Sequence, residues 1–128
     1  MGKLREFTFV SNVRGFAESG ALVVRVTGNI QTPKQLFELL YQSLTLPGYF
    51  GFNWNALFDC LRDLHWVNQR KVIIVHDDLP SLPPSEMKIY LEVLRDSILD
   101  WKPEEPHCLE AIFDESDRVH IEAVITEG

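Results

Sequence analysis

"LPGYFGFNWNALFDCL", residues 46–61, opens as a turn and closes as a helix. Pro47-Gly48 is a strong breaker pair, and Asn53 stands where a helix N-cap belongs. Beyond it, Leu57, Leu61 and Leu64 recur at helical spacing with Cys60 beside them, so a second helix is expected to run to about Leu64. Asn55, Asp59 and Asp63 are four apart and stack along the other side of that helix. The stretch also crowds Tyr49, Phe50, Phe52 and Trp54 around Gly51, which a core does not require. If the leucine stripe fills the core contact, four large rings cannot all turn inward. Tyr49, amphipathic and next to Gly48, is the expected solvent-side ring, whereas Phe50 and Trp54 are expected in the core. Gly48 and Gly51 are expected to supply backbone geometry that a Cβ forbids.

Upstream, "ALVVRVTG" (21–28) is a β-branched run and reads as a strand, with "EFTFV" (6–10) as a weaker edge strand. "TPKQLFELLYQSL" (32–44) carries every start signal of a helix. Thr32 can cap, Pro33 suits the first helical position, and Gln35 closes a capping box. Downstream, "RKVIIVHD" (70–77) is continuously apolar between charges, as a strand buried on both faces is. The prolines of "DLPSLPPS" (78–85) exclude a helix there. Ser85 is then the expected cap of a long helix over about 86–101. Met87, Leu91, Leu94, Ile98 and Trp101 mark its inner face, widened by Tyr90. "CLEAIFDE" (108–115) and "RVHIEAVIT" (118–126) alternate and read as a terminal hairpin. This order is α/β in a single domain, with helices in each crossover and therefore parallel core strands.

Composition narrows the function. A chain of 128 residues with 45% hydrophobic and 24% charged residues can bury a core without metal or cross-links. No apolar run reaches the roughly 18 residues of a membrane span. The opening "MGKLREFTFV" lacks a signal-peptide core, so the chain is read as cytoplasmic. Cys60 and Cys108 are too few for a disulfide framework or a zinc site. The net charge of −7 is unevenly spread. Residues 1–75 hold eight Lys/Arg against five Asp/Glu, and residues 76–128 hold four against fourteen. That field repels nucleic acid and steers a basic partner, although solubility alone also accounts for it.

Catalytic and metal patterns find no foothold. His65, His76, His107 and His120 make no H-x-x-x-H pair, and there is neither a G-x-S-x-G elbow nor a phosphate-binding glycine loop. Cys60 and His65 are five apart on a helix, which separates their side chains. "HDD" (76–78) at a strand end is the one corner that offers two carboxylates to a metal, and a solvated strand end is the plainer reading. No catalytic residue, metal or cofactor is expected. Asp59 reads either as a solvated helix carboxylate or as an anion offered to a cationic partner.

The opening stretch resembles the signature of the barstar family, intracellular inhibitors of the secreted ribonuclease barnase. That pattern is close to L-P-x-Y-Y-G-x-N-x-D-A-L-W-D-C-L. Leu46, Pro47, Tyr49, Gly51, Asn53, Ala56, Leu57, Asp59, Cys60 and Leu61 coincide with it, and Phe50 and Phe58 are aromatic replacements. Similarity extends over about residues 21–115. The resemblance implies a barstar-like three-layer α/β fold, a central parallel three-stranded sheet flanked by helices, with further strands from either terminus. It also implies a partner surface of Tyr49, Gly51, Asn53, Asn55, Phe58, Asp59 and Asp96 that plugs a basic ribonuclease or toxin nuclease. The carboxylates would stand in for RNA phosphates, and the chain would be monomeric when free. Asn55 stands where the pattern has an acid, and Phe52 makes the loop more apolar. A non-inhibitory interaction domain on the same fold is the alternative.

Overall fold

The computed structural model describes residues 6–126. Four parallel strands, β1 (Thr8–Val10), β2 (Leu22–Val26), β3 (Lys71–His76) and β4 (Cys108–Asp114), lie in the order β1-β4-β3-β2. Ile74 at the centre of β3 is opposite Val24 on one side and Ala111 on the other, and Thr8 of β1 is opposite Ile112. Helices α1 (Pro33–Ser43), α2 (Trp54–Leu61), α3 (Pro84–Asp100) and α4 (Arg118–Thr126) flank this sheet. Among the described residues, no helix is long and apolar enough to cross a membrane.

The sheet explains the unbroken apolar run of β3. Val72 and Ile74 join the core formed with the helices, while Ile73 and Val75 pack with Val13 and Ile112 on the opposite face. Between two neighbouring strands and two packed faces, positions 72–75 leave no room for an unpaired polar side chain. The second face is closed by a short 3₁₀ turn at 13–15 rather than by a long helix. Arg25 fastens it, donating from Nη1 to the Phe16 carbonyl and from Nη2 to the Val13 carbonyl, each at 2.9 Å. Its Nε meets Asp77 Oδ1 at 3.0 Å.

Helix α1 begins as expected. Thr32 Oγ1 accepts from the Gln35 N–H at 3.1 Å, and Gln35 Oε1 accepts in return from the Thr32 N–H at 3.3 Å. Leu36, Phe37 and Leu40 fill its buried face.

The fourth strand of the sheet is β1, the edge strand expected within 6–10, which extends the three-stranded core beside β4. Three expectations change. The carboxy-terminal segment adds no strand: residues 118–126 are helix α4. Ile121 and Ile125 are buried and four apart, a spacing that satisfies period 2 and one helical face alike. Val119, which a strand would have packed, is 77% exposed. Helix α3 starts at Pro84 rather than after a Ser85 cap, because a proline at the first helical position has no N–H to satisfy. Helix α2 stops at Leu61, short of Leu64. Leu64 takes φ 53, and the Leu61 carbonyl accepts from Trp101 Nε1 at 2.9 Å, so the chain reverses there. The parts of the termini at 1–5 and 127–128 lie outside the described residues.

His76, at the end of β3, is fully buried. Its Nδ1–H donates to the Ile112 carbonyl at 3.1 Å, and its Nε2 accepts from the Tyr90 hydroxyl at 2.7 Å. The ring stacks on Phe113 with centroids 4.1 Å apart. Burial pushes the imidazole down to about 4 and the Tyr90 hydroxyl up, so both stay neutral at pH 7.

Candidate functional site

The loop between α1 and α2 is held by backbone and by rings. The Leu46 N–H donates to the Tyr41 carbonyl and the Phe50 N–H to the Pro47 carbonyl, both at 2.9 Å. Leu46 and Phe50 are buried. Phe50 lies within 6.2 Å of the Phe37 and Tyr41 rings, and Trp54 sits 4.7 Å from Phe37 and 6.0 Å from Tyr90. Phe50 and half-buried Trp54 therefore bolt the loop to α1 and α3. Phe52 covers Tyr41 at 5.2 Å and Phe50 at 4.8 Å while remaining 42% exposed. Tyr49 is left outside this network, 71% exposed.

Two residues of the loop are left-handed, Thr45 with φ 52 and Phe52 with φ 54, and neither Gly48 nor Gly51 has a positive φ. The expectation that those glycines supply special dihedrals is thus corrected. A left-handed phenylalanine costs about 1–2 kcal/mol, and ring pairs worth about 0.5–1.5 kcal/mol each offset it. Gly51 matters for space instead. A Cβ there would come within 3.1 Å of Asn53 Nδ2, the amide that donates to the Gly51 carbonyl at 3.2 Å.

Asn53 caps α2: its Oδ1 accepts from the Ala56 N–H at 2.8 Å. With both ends of its amide engaged, Asn53 shapes the surface from within. Asn53→Ala is expected to cost about 1 kcal/mol of stability, read as a lower denaturant midpoint at unchanged slope.

Helix α2 then turns Asn55 and Asp59 to solvent and half-buries Phe58. Asp59 makes no ion pair and accepts no side-chain hydrogen bond among the described residues. Asp63 leaves the stripe expected of it, because α2 has already ended, and its carboxylate meets His65 Nδ1 at 2.9 Å. A groove of about 260 Å³ runs between α2 and α3, lined by Trp54, Asn55 and Phe58 on one side and by Ile89, Glu92, Val93 and Asp96 on the other. Asp96 is exposed and its Oδ1 lies 3.2 Å from Arg95 Nε. The structure thus gathers Asn55, Phe58 and Asp96 at one groove, with Asp59 one turn further along α2 and Tyr49, Gly51 and Asn53 in the loop that leads in.

Ile89 and Val93 were not anticipated from the sequence. Their signal was available: they form an i, i+4 apolar pair off the stripe of Met87, Leu91 and Leu94. Trp54 also has a larger part than a core ring, since its Nε1 donates to Glu86 Oε1 at 2.8 Å and so fixes the groove wall.

The other chemical candidates come apart. Cys60 is buried, and burial first, then Asp59 and Asp63, push its thiol up, away from nucleophilic character. His65 is exposed and faces Asp63. At the "HDD" corner, His76 points into the core, Asp77 pairs with Arg25, and Asp78 Oδ2 meets Arg14 Nη2 at 2.6 Å. Three neighbouring residues are engaged in three separate places, and among the described residues no group of three or more His, Cys, Asp or Glu is placed to hold a metal.

A family model described as Barstar (barnase inhibitor) matches residues 21–120. No curated protein and no solved structure matches the chain. The family match spans β2 through the start of α4 and takes in the whole loop, α2, α3 and the groove between them. By that match and by the parallel sheet flanked by helices beneath it, the chain belongs to the barstar family.

Proposed function

We propose that the protein inhibits a basic ribonuclease, and that the loop 46–53 and the outer side of α2 enter the enzyme's active-site cleft. The observation that carries this reading is the state of Asp59. It is an exposed carboxylate with no ion pair among the described residues, on a helix directly preceded by a fixed loop that presents Tyr49. A nuclease cleft lined with Arg and Lys to hold phosphate will hold a carboxylate through the same charge-assisted hydrogen bonds. No contact among the described residues has to be broken for that pairing to form. Rings held at fixed positions add contact area at little cost in lost rotamer freedom. In this reading the chain has no catalytic role, uses no cofactor, and acts as a cytoplasmic monomer.

The test is RNA cleavage by barnase, and by nucleases encoded beside the gene, with and without micromolar protein. Inhibition is expected, with an association rate that falls as salt is added, because the acidic second half of the chain steers a basic partner. No inhibition and no binding at micromolar concentration overturns the reading. Exposed Phe52 and neutral Asn55 favour a second reading, a non-inhibitory interaction domain that self-associates through the loop. A dimer on sizing columns that dissociates on Phe52→Ser would establish it.

A further inference from the structure

We infer that the groove between α2 and α3 is a second recognition subsite, which receives an apolar side chain projecting from a cationic protein surface. This rests on the inhibitor reading and adds to it: Asp59 selects charge, and the groove selects shape beside that charge.

Size separates a side chain from a free ligand. At about 260 Å³ the groove falls below the roughly 300–1,000 Å³ of small-molecule sites, and it is open along one side. Its walls are Trp54, Phe58, Ile89 and Val93. Trp54 is pre-set by its bond to Glu86 and by the Phe37 ring, so the wall does not have to order when a partner arrives.

The polar lip does not ask for a second cation. Asp96 already faces Arg95, Glu92 lies 3.9 Å from Lys88 Nζ, and Asn55 is neutral. The potential around the groove is nonetheless negative. On α2 and α3, Asp59, Glu86, Glu92 and Asp96 stand against Lys88 and Arg95, while Asp100 is paired with Arg62. A second copy of this chain would bring the same acidic face, which like charges disfavour. A basic protein that inserts an apolar side chain satisfies both the walls and the field.

The experiment compares binding of wild type, Ile89→Asp, Ile89→Ala and Leu99→Asp to barnase and to the nucleases encoded beside the gene. Ile89 is 36% exposed and Leu99, on the same helix but away from the groove, is 58% exposed, so each variant is expected to keep the wild-type Tm within a few degrees. On the subsite account, Ile89→Asp weakens binding tenfold or more even though it adds negative charge against a basic partner. Ile89→Ala weakens it several-fold, and Leu99→Asp leaves it unchanged or slightly tighter. A purely electrostatic surface predicts the reverse sign for Ile89→Asp, and unchanged or tighter binding there overturns the subsite. That result with tight wild-type binding leaves the inhibitor reading standing. Absence of wild-type binding to every nuclease removes both.

Discussion

Asp59→Ala is expected to weaken ribonuclease binding by roughly a hundredfold to a few thousandfold while leaving stability within about 0.5 kcal/mol of wild type. The two halves of that expectation have one cause. Asp59 is exposed and unpaired among the described residues, so the free protein loses no contact when the carboxylate goes. In the proposed complex the same group would be desolvated against cationic side chains. Removing it strands those cations away from water, and breaking one side of such a pair costs about 3–5 kcal/mol. Asp59→Asn separates charge from shape, since the amide keeps the volume and loses the anion. Titration calorimetry together with thermal unfolding reads both halves. A large loss of stability would mean that Asp59 holds the fold rather than a partner.

The second large effect is on stability against acid. His76 is buried and neutral, with a folded-state value near 4 against about 6.5 unfolded. The unfolded chain therefore takes up the proton first as pH falls. The stability this provides is complete above about pH 6.5, and it is lost as pH drops through that value towards 4. The shift amounts to about 3 kcal/mol in full, of which about 2 kcal/mol is lost between pH 7 and pH 5. That interval is the one to measure, with the Asp117 carboxyl, pushed up by burial and by Asp114, acting in the opposite sense. Asp114, held low by the Ser116 N–H, and Glu115, held low by Arg118, titrate mainly below it. Urea unfolding at pH 7, 6 and 5 is expected to show the loss, and His76→Gln is expected to flatten the slope whatever it does to absolute stability. A slope unchanged by that substitution would place the acid sensitivity elsewhere.

What could be read in advance follows from how local each determinant is. The Thr32–Gln35 capping box closes within four residues, so the start of α1 was legible and is found as expected. The double burial of β3 was legible because an unbroken apolar run of that length has few other homes. Helix α4 was not, because Ile121 and Ile125 satisfy two periods at once, and the choice is made by packing against α3. The end of α2 was misplaced because the Trp101 indole, forty residues away, takes the Leu61 carbonyl. In the site, Tyr49, Phe50 and Asp59 were placed correctly on their respective sides by helical spacing and ring chemistry. The left-handed Phe52 and the groove were not legible. One depends on ring contacts with Tyr41, and the other exists only once α3 approaches α2.

The central claim is that this surface occupies the enzyme's own phosphate seat. The most direct measurement is steady-state RNA cleavage by a nuclease the protein binds, across substrate concentrations and at several inhibitor concentrations. Occupation of the seat predicts competitive inhibition, with apparent KM rising in proportion to inhibitor, kcat unchanged, and the effect largely gone in Asp59→Ala. A falling kcat at constant KM, or full inhibition by the Asp59→Ala protein, would contradict it.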